Sequence, residues 1–342
     1  MAKEKPGIHI LFEFVDGPWG GGNQLLKALR GYFRETGVYA ENPQDADIVL
    51  FNSHHCLEAV LRAKRNNPGK IFIHRVDGPI YLIRGRDRMI DCLLYQLNSL
   101  LADGTVFQSG WSREKNISLG MKNTPHEAII LNAPDPSVFN AEGKQSLGNG
   151  KVKLIATSWS ANVRRGFDIY RFLDENLDFG KYEMTFVGNS DMEFRNIRRL
   201  KPVPSRELAG ILKQHDIYIT ASTNDPCSNA LIEALHCGLP AVARRDGGHP
   251  EITGRGGELF DNEKDVLLAI DKVVGDYKSY QSRIKLPSLD EIGQQYYDFA
   301  KTVFEAGRSG AYAPRRVGWL SLVKIKACIF RWKAMNAIGL GR

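Results

Sequence analysis

Chemistry in this chain concentrates in one segment, Ser222-Thr-Asn-Asp225-Pro-Cys-Ser-Asn-Ala-Leu-Ile-Glu233-Ala-Leu-His-Cys-Gly-Leu-Pro240. An apolar run, Ile217 to Thr220, precedes it, and a helical apolar period follows. Pro226, Ser228 and Asn229 are residue types of a helix cap and first turn. The backbone N–H groups of such a turn point at an anion such as a diphosphate. Glu233 follows about a turn later, between Ile232 and Ala234. A carboxylate in that setting wants a hydrogen-bond donor, and a ribose diol supplies one. Two plainer readings stay open at this point: Glu233 faces solvent, or it pairs with a neighbouring arginine.

These residues need a strand to deliver them and a helix to carry them. In the first 140 residues, short runs rich in Val, Ile and Phe alternate with helix-period stretches, the rhythm of a parallel sheet. Strands are expected at Ile8 to Phe14, Ile48 to Asn52, Ile71 to Arg75, Thr105 to Gln108 and Ala128 to Leu131. The glycine-rich stretch 141–150 reads as a linker. Beyond it, strands at Lys153 to Thr157, Met184 to Val187, Ile217 to Thr220 and Ala241 to Arg244 alternate with helices near Phe167 to Asn176, Arg206 to His215 and Asn229 to Cys237. The expected class is α/β, with two Rossmann-like domains facing across a cleft. The divisions are 1–140, the linker, 151–287, a helix at 288–306 that crosses back to the first domain, and a basic tail at 307–342.

The segment around Asp225 and Glu233, followed by Gly247-Gly248-His-Pro250-Glu251, resembles the signature of the retaining GT-B glycosyltransferases of family 4. In that signature two acids are separated by seven residues, ahead of a glycine-glycine-x-x-Glu turn. The first acid here is Asp225, where the family usually has Glu. The resemblance implies that Asp225 lies beside the donor sugar as a catalytic residue, that Pro226, Cys227, Ser228 and Asn229 hold its diphosphate, and that Glu233 takes the ribose. Ile155 to Phe167 is similar to the family's first donor-domain loop, so Arg165 is expected on the diphosphate in place of a Lys, while Trp159 stands where the family has an Arg. Gly188 is expected under the nucleobase, and Val203, between Pro202 and Pro204, beside it.

In the first half, Asp16-Gly-Pro-Trp19-Gly-Gly21-Gly22-Asn-Gln24 joins strand to helix, and its glycines allow a backbone to approach a ligand closely. By resemblance Gly21 and Gly22 lie against the donor phosphates. Phe72-Ile-His74-Arg75-Val-Asp77-Gly78 ends a strand at the ligand-facing sheet edge. The resemblance implies that His74, or Asp77 in a shifted register, touches the sugar, and His54, His55 and Arg75 are expected on the acceptor side. The resemblance further implies a nucleotide-sugar donor, a saccharide or lipid-linked acceptor, no cofactor and no metal. A catalytically impaired homologue acting as a binding or scaffold subunit and a nucleotide-sugar epimerase are the competing readings.

With 43% hydrophobic and 25% charged residues in 342, the bulk is a globular protein, not a disordered one. No apolar run reaches the length of a membrane span and the first residues lack a signal-peptide core, so a cytoplasmic protein is expected. Five scattered cysteines, an odd number without a CxxC pair, indicate neither a disulfide framework nor a zinc site. The net charge of +7 is local: residues 307–342 carry eight basic and no acidic side chains, and subtracting these eight leaves −1 for the rest. A near-neutral body offers no groove for nucleic acid, whereas the basic tail is expected to meet an anionic membrane surface. A tail packed on the body or on a second subunit is the alternative.

Overall fold

The computed structural model describes residues 5–15, 21–145 and 147–337. The chain divides into two compact units. One is built from the chain up to Leu131 together with the segment from Leu289 onward, the other from Asn132–Ser288.

In the first unit, β1 (Ile8–Leu11), β2 (Ile48–Asn52), β3 (Ile71–Val76), β4 (Gly104–Phe107) and β5 (Glu127–Ile129) form one sheet in the order β1-β2-β3-β4-β5. Every pairing is parallel. A parallel strand covered on both faces is mostly apolar, and β2 and β3 are buried at every position, including Asn52, His74 and Arg75. On one face Val49, Phe51 and Phe72 pack with Leu57, Val60 and Leu61 of the helix Leu57–Asn66 and with Leu93, Leu97 and Leu101 of the helix Arg88–Leu101. Elsewhere on the sheet, Gly104 leaves room for the Phe299 ring, to which an added Cβ would come within 3.0 Å. Phe299 belongs to the helix Leu289–Arg308. The first strand was expected to run to Phe14. It leaves the sheet at Leu11, after which the Phe12 ring stands edge-on to Phe14 and His55.

In the second unit, β6 (Val152–Ser158), β7 (Tyr182–Gly188), β8 (Arg198–Leu200), β9 (Ile217–Thr220), β10 (Ala241–Arg244) and β11 (Gly257–Phe260) form a parallel sheet in the order β11-β10-β9-β6-β7-β8. The chain starts in the middle at β6, builds outward through β7 and β8, then returns to β9 and builds the other way. The loops leaving β6 and β9 therefore diverge, and this is where open α/β sheets hold ligands. The edge strands β8 and β11 were not expected. β8 is three residues with two arginines, and β11 opens on Gly257, where a Cβ would lie 2.1 Å from the Ala241 carbonyl oxygen.

Residues 132–150, expected as the end of the first domain and a linker, cluster with the second unit. The Gln145 amide donates to the Lys213 carbonyl (3.2 Å), and the Lys213 ammonium donates to Asn140 Oδ1 (2.9 Å).

The basic tail forms a helix, Trp319–Ala337, that docks on the first unit. Ile325 and Ile329 enter its core, 0% and 5% exposed, each contributing roughly 1.5–3 kcal/mol by burial. Ahead of the helix, Asp103 Oδ1 accepts the Arg315 amide (2.7 Å) and the Tyr312 hydroxyl (3.1 Å). The other Asp103 oxygen accepts Lys64 Nζ and the Phe72 amide, both at 2.7 Å.

Candidate functional site

Glycine makes the loops of the second unit possible. Gly166, after β6, has φ +80°, and a Cβ there would sit 2.3 Å from the Ala221 carbonyl oxygen at the end of β9. The two diverging loops thus touch backbone to backbone. After β10, Gly247 has φ +61°, and its Cβ would fall 2.2 Å from the Asp225 carbonyl oxygen, which accepts the Gly248 amide (2.8 Å). The Asn224 amide, at a left-handed φ of 54°, donates to Asp246 Oδ1 (2.6 Å). Residues 224–225 and 246–248 accordingly lock each other, which is the physical content of the glycine pair.

Held this way, the Asp225 carboxylate accepts from Arg165 Nη1 at 2.9 Å. The guanidinium stays 36% exposed while the carboxylate is 13% exposed, so a fixed cation faces solvent beside β6 and β9. The helix Asn229–His236 begins next to it. Ser228 is its N-cap, with Oγ 3.5 Å from the Leu231 amide, and Asn229 Oδ1 accepts from Asn132 Nδ2 (2.7 Å). Pro226, Cys227 and Ser228 are buried.

Glu233 is half-buried on the same helix, and its carboxylate has no hydrogen-bond or ion-pair partner among the described residues. Desolvation alone pushes its pKa up to about 8. No arginine pairs with it among the described residues, and its partial burial disfavours the charged form. A partner that donates hydrogen bonds would reverse that penalty.

Two buried residues without an assigned role in the sequence support these loops from beneath. His249 is fully buried: Nδ1–H donates to the Arg244 carbonyl (3.0 Å), leaving Nε2 to accept the Ser222 hydroxyl (3.2 Å). Burial lowers its pKa, and Asp225 acts against that. Tyr218, buried in β9, shares a hydrogen bond with Thr157 (2.9 Å), tying β9 to β6. The signal for His249 was its place directly after the glycine pair. Gly188 has an additional reason to be glycine, because at φ +142° its Cβ would meet the Ser158 carbonyl oxygen at 1.9 Å. Val203 is half-buried just before the helix Ser205–Lys213.

In the first unit the sequence-derived site is partly overturned. His74 was expected to touch a sugar, but it is fully buried, stacked on Phe51 with ring centroids 4.3 Å apart. Its Nε2–H donates to the Ser53 carbonyl (3.0 Å) and its Nδ1 accepts from Asn98 (3.1 Å). With both nitrogens used and the pKa lowered to about 4 by burial, it is a neutral core side chain. Arg75, expected on the acceptor side, is likewise fully buried, bonding Asn52 Oδ1 (2.6 Å) and Asp77 Oδ1 (2.8 Å). Asp77 is 26% exposed and also accepts from Gln108 (2.6 Å), so a clamp presents it at the sheet edge. Gly22 lies over this cluster, 3.4 Å from Asn52 Nδ2 at its would-be Cβ, and Gly21 opens the helix Gly21–Glu35. Asp16 to Gly20, the rest of that loop, lie outside the described residues. His54 and His55 stack on each other (4.7 Å) in a turn held by left-handed Ser53 and Cys56. Burial and His55 take the His54 pKa down to about 4.

An Asp-x-Asp spacing does occur, at Asp45 and Asp47, and it is spent on the fold: Asp47 accepts the Gly7 amide (2.8 Å), and Asp45 accepts from Asn42 (3.1 Å). Among the described residues no group of three or more His, Cys, Asp or Glu side chains converges as a metal site, and no helix is long and apolar enough to cross a membrane.

Known proteins share this fold and part of this sequence. Residues 171–276 match the family described as glycosyl transferases group 1. The D-inositol 3-phosphate glycosyltransferase of Corynebacterium jeikeium is 37% identical over 86 residues, 24% of this chain and 20% of that protein's length. Among solved structures, the catalytic domain of starch synthase IV from Arabidopsis thaliana, bound to ADP and acarbose, superimposes with a TM-score of 0.68 at 11% identity, covering 88% of this chain and 100% of that one. Sucrose-phosphate synthase from Thermosynechococcus elongatus gives 0.62 at 13% identity over 90% and 97% of the two chains. Anabaena HepE in complex with UDP-glucose gives 0.59 at 14% identity over 90% and 99%. The fold is the two-Rossmann α/β architecture of the GT-B proteins.

Proposed function

We propose that this protein is a glycosyltransferase that moves a sugar from a nucleoside-diphosphate donor to a carbohydrate or lipid-linked acceptor, with retention of configuration and without a divalent metal. One observation carries the reading: Glu233, a desolvated carboxylate without a partner among the described residues, stands one turn into a helix whose N-terminus opens beside the Arg165–Asp225 pair. A nucleoside diphosphate fits all three features together. Its ribose hydroxyls donate to Glu233, and its phosphates meet the first-turn amides and the exposed guanidinium of Arg165. Glycosyl transfer builds charge on the departing diphosphate, so amides and a cation fixed before reaction lower the barrier where that charge develops. Asp225 is placed to hold Arg165 in the free protein and to face the sugar's developing positive charge in the complex. Amides and Arg165 perform the neutralisation for which other transferases use a metal. In the first unit Asp77, His54 and His55 are the accessible candidates for acceptor contacts.

Calorimetry with UDP, ADP and GDP and their glucose conjugates tests the donor site. Glu233→Ala and Arg165→Ala are each expected to weaken the preferred nucleotide by about 1.5–3 kcal/mol. Natural affinity in both variants would remove the site. Release of nucleoside diphosphate on adding acceptor, unchanged by EDTA, separates transfer from binding alone, and the anomeric signal of the product decides retention.

A further inference from the structure

The C-terminal helix has two apolar faces, and the core uses one of them. Leu322, Ile325, Ile329 and Trp332 pack against the first unit. On a helical projection at 100° per residue, Trp319, Phe330, Val323 and Leu320 fall in a single stripe away from that face, with the small Ala327 and Ala334 between them. All four large side chains are exposed, Trp319 and Phe330 by 73% each. Lys326 and Lys333 border the stripe on one side, Lys324 and Arg331 on the other, and no acidic residue occurs in the helix. The cations thus lie at the two seams between the apolar faces, which is why they look scattered in the sequence.

Along one seam runs a groove of about 430 Å³ between this helix and Leu57–Asn66. Arg62, Arg65, Lys326 and Lys333 line it around an apolar wall that includes Leu61 and Phe330. Glu58, its one acidic lining residue, is paired with Lys333 at 2.6 Å.

We propose that this stripe and groove dock the protein in the plane of an anionic lipid bilayer, with Trp319, Leu320, Val323 and Phe330 entering the headgroup boundary and the bordering cations on lipid phosphates. The occupant follows from the chemistry. Aromatic and aliphatic side chains bordered on both sides by Lys and Arg match an interface that is apolar below and anionic above, and long basic side chains reach back to phosphate from that depth. A protein partner would have to cover bulky apolar groups and a one-signed charge rim at once. This surface is independent of the sugar-transfer reading, since none of its residues belongs to the donor site.

The test is co-sedimentation of the full chain with phosphatidylcholine vesicles, with and without phosphatidylglycerol, at low and high salt. Binding is expected to the anionic vesicles only and to weaken with salt. Lys326→Gln with Arg331→Gln should lower the partition coefficient about thirtyfold, from about 1 kcal/mol for each cation near the surface. Trp319→Ser with Phe330→Ser, both at exposed positions, should abolish binding while leaving the thermal transition in place. Equal sedimentation of all variants, or none by the natural protein, would overturn the proposal. So would a dimer in solution that Trp319→Ser with Phe330→Ser dissolves, because the stripe would then belong to a second copy.

Discussion

Each unit places a titratable side chain at or near the carboxyl end of its sheet, yet His74 and Glu233 have opposite surroundings. His74 lies in a sheet whose strands run in sequence order, and both ring nitrogens are bonded within the unit. Glu233 follows β9 in a sheet that reverses its order between β6 and β9, and it has no partner among the described residues. A buried polar group with every bond made specifies the fold, while one left without a partner costs stability unless something else arrives to bond it. The difference separates architecture from a ligand position more sharply than residue type does, since histidine is the commoner catalytic residue of the two.

The largest effect should come from the architectural side. Asp103→Ala leaves Lys64, whose side chain is 0% exposed, as an uncompensated buried charge and also removes the acceptor for the Phe72 and Arg315 amides. A loss of about 3–5 kcal/mol is expected in urea unfolding, with nucleotide affinity unchanged in the folded fraction. A loss below about 1 kcal/mol would show that the pair is not the anchor described here.

The sharpest contrast is a crossed pair. His74→Leu strands the Ser53 carbonyl and one N–H of Asn98, which keeps its bond to Thr105, and should cost about 1–3 kcal/mol of stability without affecting nucleotide binding. Glu233→Gln should do the reverse. The unfolded carboxyl ionises near 4.5 and the folded one near 8. Between these values the folded state holds a proton that the unfolded state has lost, so this contribution to stability is complete below pH 4.5 and fades as pH rises to 8. Glu233→Gln should remove that slope, making the variant relatively more stable at pH 8 than at pH 5. Nucleotide affinity in the natural protein should rise from pH 6 to 8, because ribose hydroxyls donate to the ionised form, and this rise should vanish in Glu233→Gln. Parallel stability profiles for the two proteins would remove the desolvated carboxylate from the site.

Legibility in the sequence followed how local the cause was. The βα rhythm and the helix Phe167–Asn176 could be read because apolar period and punctuation lie within a few residues of each other. The strand-to-helix junction at 222–229 was legible for the same reason. β8 and β11 were not, since a three-residue edge strand and a strand opened by Gly257 depend on what lies beside them. His74 was misread because its partners, Ser53 and Asn98, lie 21 and 24 residues away. The two apolar faces of Trp319–Ala337 cancel in any one-faced helical pattern, and they separate only once Ile325 and Ile329 are seen in the core.

The smallest effects compare two helix caps. Ser109 Oγ accepts the Ser112 amide at 3.0 Å at the start of the helix Gly110–Ser118 in the first unit, while Ser228 Oγ stands 3.5 Å from the Leu231 amide in the second. Hydrogen bonds weaken quickly over that half ångström, so the first cap is fully used and the second only loosely. Ser109→Ala should therefore cost about 1 kcal/mol in urea unfolding and leave nucleotide affinity alone. Ser228→Ala should cost roughly 0.5 kcal/mol or less, at the low end for caps, yet it should weaken nucleotide binding, because its hydroxyl and the amides of that turn are the groups a diphosphate would engage. Paired unfolding and calorimetry on both variants read the two quantities independently. Equal stability losses with unchanged affinity would mean that both serines are ordinary caps and that the anion site does not extend to Ser228.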